Sequence, residues 1–427
     1  SDLVRAIASY FPWYGAAPRH STYRHWDGGG SYSPPDSISA VSYPSLGPYD
    51  SRHPQVLAQH MRWLREVGID ALAVSWWGAG SYEDLAMPAI LNAAHAHGLR
   101  VCVQIEPYVN RGITRTDSPA NTARDLSYLH NRYGRHPAWL YVSRQTRYGS
   151  AEPRQLAFVF RARFEEARPN GSWAPALDSI RGTAHDTLVL LDTWGDRWGS
   201  PAGTIAEVLR THADGGWVYE HSDVPAHNLL PPWSPDYIVV KSVGPGYDDR
   251  RKSPPGTTVI DREGGAYYRR SWEQVLAGNP ELVTVSFNEW HEGTQIEPDQ
   301  RRPNYAHHGR LYLDLTAEWI TTYKTPDNHP WGVGDGFESQ QNNADAVSIK
   351  GGAAGCTCGA QPEPMVVRPR RWISDPVEWT GGIDVPLTRT AHTGGCPLAD
   401  EYYWYGVRLP EGPQRWHDAT TGQRIGL

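Results

Sequence analysis

Short apolar runs alternate with amphipathic stretches along most of this chain. The runs Ala6–Trp13, Ala71–Trp77, Arg100–Tyr108, Ala138–Val142, Thr187–Trp194, Gly216–Glu220, Tyr237–Val243 and Leu282–Trp290 are too short for helices and read as buried strands. Between and after them, Pro54–Val67 (Leu57, Met61 and Leu64 on one face), Glu83–His97, Ala120–Tyr133, Arg154–Arg168 and Ala306–Tyr323 carry helical spacing. Gly68 and Gly98 follow two of these helices where a left-handed cap is wanted. Eight strands separated by helices or long crossovers predict an α/β fold, a (β/α)8 TIM barrel over residues 1–325. No glycine-rich phosphate motif follows an early strand, which disfavours a doubly wound sheet.

The pattern fails after the barrel. Residues 326–361 are rich in Gly, Asn, Ala and Gln and read as a linker. Residues 362–427 form a small Gly/Pro-rich C-terminal appendage, β-rich or poorly ordered, with short strand-like pieces such as Tyr402–Leu409. A carbohydrate-binding role through Trp372, Trp379, Trp404 and Trp416 competes with a segment that has no activity of its own, and the second is preferred. Cys102 lies inside an apolar run as a small core residue. Cys356, Cys358 and Cys396 make a poor zinc signature; a disulfide from Cys396 to one of the other two is the alternative to free thiols.

Charge and aromatic content narrow the partners. With 40 Lys+Arg against 47 Asp+Glu, the net charge of −7 argues against nucleic acid or an anionic membrane surface as the main partner. No apolar run approaches the ~20 residues of a membrane helix. The chain opens Ser1-Asp2-Leu3 with no readable signal, and a secreted, periplasmic or secretory-lumen location and a monomeric state are expected. Nineteen Trp and 23 Tyr against 6 Phe favour wet, aromatic-lined clefts over a dry core. Such rings stack on the C–H face of a sugar while their polar ends hydrogen-bond its hydroxyls, which points to an oligosaccharide or polysaccharide substrate.

Chemistry gathers at the strand ends. Tyr10, Trp13 and Tyr14 close the first run, Trp76 and Trp77 the second, Glu106 and Tyr108 the third. Asp192 and Trp194, Glu220 and His221, and finally Glu289 and Glu292 end others, and in a barrel all these ends meet on one face. Trp76 and Trp77 are adjacent, so one faces the cleft and the other the core. The densest cluster is Ser286-Phe287-Asn288-Glu289-Trp290-His291-Glu292-Gly293-Thr294-Gln295-Ile296-Glu297-Pro298. Glycoside cleavage needs one carboxylic acid for the leaving oxygen and a second carboxylate as base or nucleophile, and Glu289 and Glu292 supply both within one turn. Mutual repulsion and burial would raise the pKa of one of them, which is what the general acid requires. Glu297, near Arg301 and Arg302, reads instead as one half of an ion pair. The position four after His291 is Gln295, so the H-E-x-x-H zinc motif is incomplete; no G-x-S-x-G elbow occurs either.

The run Ser286–Pro298 resembles the signature of glycoside hydrolase family 99, the endo-α-1,2-mannosidases and endo-α-1,2-mannanases. Tyr10-Phe11-Pro12-Trp13-Tyr14-Gly15 with His25-Trp26, Leu46–Ser51, Gly68–Asp70 through Ser75–Gly78, Glu106-Pro107-Tyr108 and Gly244–Asp249 resemble the family's other blocks, in the same order. The resemblance spans roughly residues 6–325. It implies a (β/α)8 barrel that retains anomeric configuration with no metal or organic cofactor. It further implies that Glu289 deprotonates the sugar's own 2-hydroxyl to form a 1,2-anhydro sugar. Glu292 would then protonate the leaving group and later activate water. Motif membership and strand-end position nominate Tyr10, Trp13, Trp76, Trp77, Glu106, Tyr108, Tyr247, Asp248, Asn288, His291 and Gln295 as substrate-binding residues. The alternative is a non-catalytic or differently specific glycan-binding barrel of a related family with a looser N-E-W-x-E-G pattern. The presence of both carboxylates argues against it.

Overall fold

A computed structural model describes residues 4–106, 118–147, 152–162, 172–192, 208, 211–219, 237–277 and 280–324, with six short strand segments beyond residue 338. Eight parallel strands close into a barrel: β1 (Ala6–Tyr10), β2 (Ala71–Trp76), β3 (Arg100–Ile105), β5 (Arg154–Val159), β6 (Thr187–Asp192), β7 (Gly215–Trp217), β8 (Ile238–Val243) and β11 (Leu282–Ser286). The seam is shut by β1 pairing with β11, Ala6 opposite Val283, and by β3 pairing with β5, Val103 opposite Ala157. Helices α1 (Pro54–Glu66), α2 (Tyr82–Ala96), α3 (Ser118–Tyr133), α4 (Trp173–Ile180), α5 (Ala266–Ala277) and α6 (Leu311–Lys324) follow strands in the barrel order. Gly68 and Gly98 hold φ of +89° and +72° just past α1 and α2, the left-handed caps expected of them.

Alternation along the strands separates two cores. Ile7, Ala71, Ala73, Cys102, Leu156, Phe158, Leu188, Leu190, Ile238, Val240 and Leu282 fill the barrel interior. Ala6, Ala8, Tyr10, Leu72, Val74, Trp76, Val101, Val103, Ile105 and Val283 pack outward against the helices. Following the inward parity toward the carboxyl ends exchanges aliphatics for Ser9, Ser75, Gln104, Glu106, Asp192, Ser242, Thr284 and Ser286, all buried. A barrel that is oily at the bottom and polar at the top has one end prepared for chemistry.

Two assignments change. Arg154–Val159, read as the start of a helix, is strand β5. Its Leu156 and Phe158 face the interior while Ala157 and Val159 face the helices, so a strand buried on both sides shows no polar alternation. Ala138–Val142, read as a barrel strand, contributes only a Trp139 bridge to Val101 and a two-residue strand β4 (Tyr141–Val142) running antiparallel to β5. The expected eight strands are therefore present, but the fourth of them lies elsewhere in the chain. Trp194, Glu220, His221, Tyr402–Leu409 and Cys356, Cys358 and Cys396 fall outside the described residues. The described tail segments form three antiparallel pairs: Ser339–Gln341 with Val347–Ile349, Pro364–Val367 with Ile383–Pro386, and Trp416–His417 with Arg424–Ile425.

Candidate active site

The turn after β11 is built from backbone ties. Phe287 N–H donates to Ser9 O across the seam (3.0 Å), and Phe287 O receives the amides of Ile296 and Glu297 (3.0 Å each). Thr294 N–H donates to Glu289 O (3.2 Å), and the Ser286 and Thr294 hydroxyls lie 2.9 Å apart. Arg262 reaches in from beyond the short strand pair β9 (Tyr247–Asp248) and β10 (Val259–Ile260), giving hydrogen bonds to Gly293 O and Gln295 O, both 2.9 Å. Asp248 N–H donates to Glu292 O at 2.8 Å. A Cβ at Gly293 would sit 2.9 Å from Asp248 O, so only glycine lets β9 press this close to the turn.

Glu289 is buried, and its pKa is raised well above the usual carboxylate range. Burial is the main cause and the neighbouring Glu292 carboxylate the second. The amides of His291 (2.9 Å) and Glu292 (3.4 Å) point at its Oε1 and partly offset the rise. Glu292 is half-buried beside it. Lys252 lies on the same side: burial pulls its pKa down, but Asp249, 3.0 Å away, together with Glu292 and Glu289 pushes it up on balance. Glu106 ends the inward face of the β3 run, accepting hydrogen bonds from Ser75 Oγ and Gln104 Nε2, both 2.8 Å. Burial raises its pKa to about 8. His25 and His291 form a wall with ring centroids 4.9 Å apart, and His25 stacks on Trp13 at 4.5 Å. Burial keeps both imidazoles neutral, His291 with a pKa of about 4.

These positions sort the nominated residues. Glu289, Glu292, His291 and Gln295 share the turn, Trp13 packs on its His wall, and Trp77 approaches Trp13 at 6.2 Å. Trp77 Nε1 donates to Ser75 Oγ (3.1 Å), which donates to Glu106, so an indole and a carboxyl are linked on one wall. Tyr247 and Asp248 stand on β9 beside the turn; the Tyr247 hydroxyl donates to Asp249 (3.3 Å), and Arg250 grips the Asp248 carboxylate. The Gln295 Oε1 and His25 Nδ1 atoms are buried with no hydrogen-bond partner among the described residues. Tyr108 lies outside the described residues.

Three nominations are corrected. Tyr10 has outward parity and its hydroxyl meets His60 Nδ1 of α1 at 2.8 Å, behind the barrel wall. Trp76 also faces outward, its Nε1 donating to Asp84 (2.9 Å), which in turn receives the Tyr128 (2.7 Å) and Tyr133 (2.6 Å) hydroxyls of α3. Asn288 is fully buried with its side chain committed: Oδ1 accepts Phe11 N–H (2.8 Å), and Nδ2 donates to Phe11 O (3.1 Å) and Tyr49 OH (3.2 Å). Glu297 is also not paired with Arg301 or Arg302. It accepts from Tyr49 OH (2.8 Å) and Trp290 Nε1 (2.8 Å) and bonds His60 Nε2 (2.7 Å). Lys252 and Arg262 escaped the sequence reading, because single charged residues in loops carry no spacing signal; Tyr49 lies in the Leu46–Ser51 block but is not among the residues nominated for the site.

A closed eight-stranded barrel with paired glutamates and stacked aromatics at its polar end is the build of a glycoside hydrolase. The family model for glycosyl hydrolase family 99 matches residues 4–325. Glycoprotein endo-alpha-1,2-mannosidase of Rattus norvegicus is 31% identical over 355 residues, covering 74% of each chain. A glycoprotein endo-alpha-1,2-mannosidase-like protein of Homo sapiens is 32% identical over 360 residues, covering 73% of this chain and 74% of that one. Among solved structures, the family 99 endo-alpha-mannosidase of Bacteroides thetaiotaomicron superposes with a TM-score of 0.60 at 26% identity, over 75% of this chain and 97% of that one. The chain belongs to glycosyl hydrolase family 99 and is a glycoside hydrolase.

Proposed function

We propose that this enzyme is an endo-acting α-mannosidase that cleaves internal α-1,2-mannosidic linkages of mannan or N-glycan-type oligosaccharides with retention of configuration. The observation that carries the reading is the buried Glu289, its pKa raised in part by the charge of Glu292, at the polar end of the barrel and inside the family's motif. The Rattus norvegicus and Mus musculus relatives are named glycoprotein endo-alpha-1,2-mannosidases, which supports the linkage. Glu289, the more deeply buried of the pair, is the base for the sugar's 2-hydroxyl. The raised pKa expected of the acid falls instead on this residue, where it makes the ionised carboxylate a stronger base toward an alcohol proton than an ordinary one. The 2-oxygen attacks the anomeric carbon, the glycosidic C–O bond breaks, and Glu292 gives its proton to the departing oxygen. Glu292 then takes a proton from water, which opens the 1,2-anhydro ring at the anomeric carbon, while the proton held by Glu289 returns to the 2-oxygen. Two inversions leave the configuration retained. No cofactor enters this scheme.

Trp13, Trp77 and Tyr247 line the cleft, and Glu106 and the buried, unsatisfied Gln295 Oε1 meet hydroxyls of the glycan. The enzyme works outside the cytosol, in a secreted, periplasmic or luminal setting where such glycans occur; no helix among the described residues is long and apolar enough to cross a membrane. Incubation with α-1,2-linked mannan or a glucosyl-mannose oligosaccharide, followed by chromatography, should release oligosaccharides rather than monosaccharide. Glu292→Gln should lose about 10²–10⁴-fold on such substrates but far less on aryl glycosides with activated leaving groups, which need no protonation. Glu289→Gln should fail on both. Equal rescue of the two variants defeats the role assignment.

A further inference from the structure

Glu289 leaves the backbone between two groups that one side chain holds. The Tyr14 hydroxyl donates to Asn288 O at 2.7 Å and receives Trp290 N–H at 3.2 Å. One oxygen atom therefore ties the peptide groups on both flanks of Glu289. We propose that Tyr14 is a positioning residue for the reaction, setting the direction in which the Glu289 side chain enters the cleft. The inference rests on the reading of Glu289 as the base.

Tyr14 is well placed for this. Its ring stacks on Trp26 at 4.2 Å and meets Tyr49 edge-on at 5.4 Å, and it is fully buried. Its own backbone is pinned from three sides: the amide donates to Ser51 Oγ (3.1 Å), and the carbonyl receives Ser51 N–H (3.0 Å) and Tyr82 OH (2.8 Å). Trp26 Nε1 donates to Tyr49 O (2.8 Å), and the Tyr49 hydroxyl reaches Glu297, which also holds the indole of Trp290. The residues on either side of Glu289 are thus fastened to an aromatic block, and among the described residues only the Tyr14 side chain hydrogen-bonds the backbone of both. Burial, then the Glu289 charge, raises the Tyr14 pKa well above that of a free phenol, so the hydroxyl keeps its proton and the donor role. A catalytic group must stay within about half an ångström of its working position.

Tyr14→Phe removes one oxygen and keeps the stacked ring. The expected result is a fall in kcat of about 10–100-fold, with KM within about twofold of wild type. A loosened turn admits water to Glu289, lowers its raised pKa and moves the acidic limb of the kcat/KM profile to lower pH. p-Aminophenylalanine at position 14, which can still donate to Asn288 O, should recover much of the loss. A loss that matches only the loss of folded protein, with the limb unmoved, overturns the proposal, as does wild-type kcat. Glu289→Gln assayed in parallel separates the failures: if it stays active, the base assignment is wrong; if it is dead and Tyr14→Phe is normal, only the positioning role is. Should the Phe variant not fold, Ser51→Ala perturbs the same anchor more gently. There a lowered kcat with a shifted limb supports the role, and an unchanged profile overturns it.

Discussion

Two buried carboxyl groups dominate the residue scale; both hold their protons more tightly than a free carboxyl, and pH is read through stability at one and through rate at the other. Glu106 binds its proton more tightly in the folded protein, with a pKa of about 8, than it does when unfolded. Its contribution to stability is therefore complete below the unfolded carboxylate pKa and is lost as pH rises toward about 8. Glu106→Gln should consequently gain in thermal midpoint relative to wild type as pH rises from 5 to 8. Melting curves over that range check it; a constant offset would show that Glu106 is already ionised. For Glu289, proposed as the base, the raised pKa acts on rate, because a base must be ionised: activity should fall on the acid side at a pH well above an ordinary glutamate pKa. Behind the wall, Tyr10→Phe leaves His60 Nδ1 buried without its partner and should cost about 1–3 kcal/mol of stability while barely touching KM.

Among the elements, β2 delivers neighbouring tryptophans to different places. Trp76→Ala empties a site between β2, α2 and α3 and removes one of the hydrogen bonds to Asp84, and should cost about 3–5 kcal/mol. Trp77→Ala should lower kcat/KM with the melting point nearly unchanged; the pair of variants, measured by calorimetry and kinetics, tests core against cleft. Gly293→Ala forces β9 away from the turn and should reduce activity sharply, since Asp248 O leaves no room for the added carbon. Legibility follows the same physics. The turn after β11 was readable because its polar residues are continuous in sequence, and the barrel because most strands are bounded by helices. Strand β5 was hidden because both its faces are buried. Tyr10, Trp76 and Asn288 looked like ligands for sugar because strand-end position does not reveal parity, and a buried amide that braces a backbone has the same letter as one that binds a hydroxyl. Arg262 and Lys252 reach the turn only through tertiary contact, which no local pattern encodes.

For the whole molecule, α6 ends at Lys324, whose ammonium reaches Asp70 (2.6 Å) and Gly68 O (2.6 Å) on the loop between α1 and β2. Every residue assigned here to chemistry precedes that point. A chain ending near Asn328 should stay soluble and cleave a short oligosaccharide at a rate within about twofold of the full chain. A truncation that folds but is inactive, or that fails only on long mannan, would make residues 326–427 part of the site.

The seam between β1 and β11 also sets an order in time. Phe11 waits for Asn288, 277 positions later, before its amide and carbonyl are satisfied, and the Tyr14 hydroxyl waits as long for Asn288 O and Trp290 N–H. While the chain is being synthesised, β1 and β8 therefore stand as open sheet edges until β11 is made, and an open edge invites pairing with other chains. If the proposed pair carries the reaction, catalytic competence cannot accumulate gradually during synthesis; it arrives with the closing strand, at almost the last moment of barrel assembly.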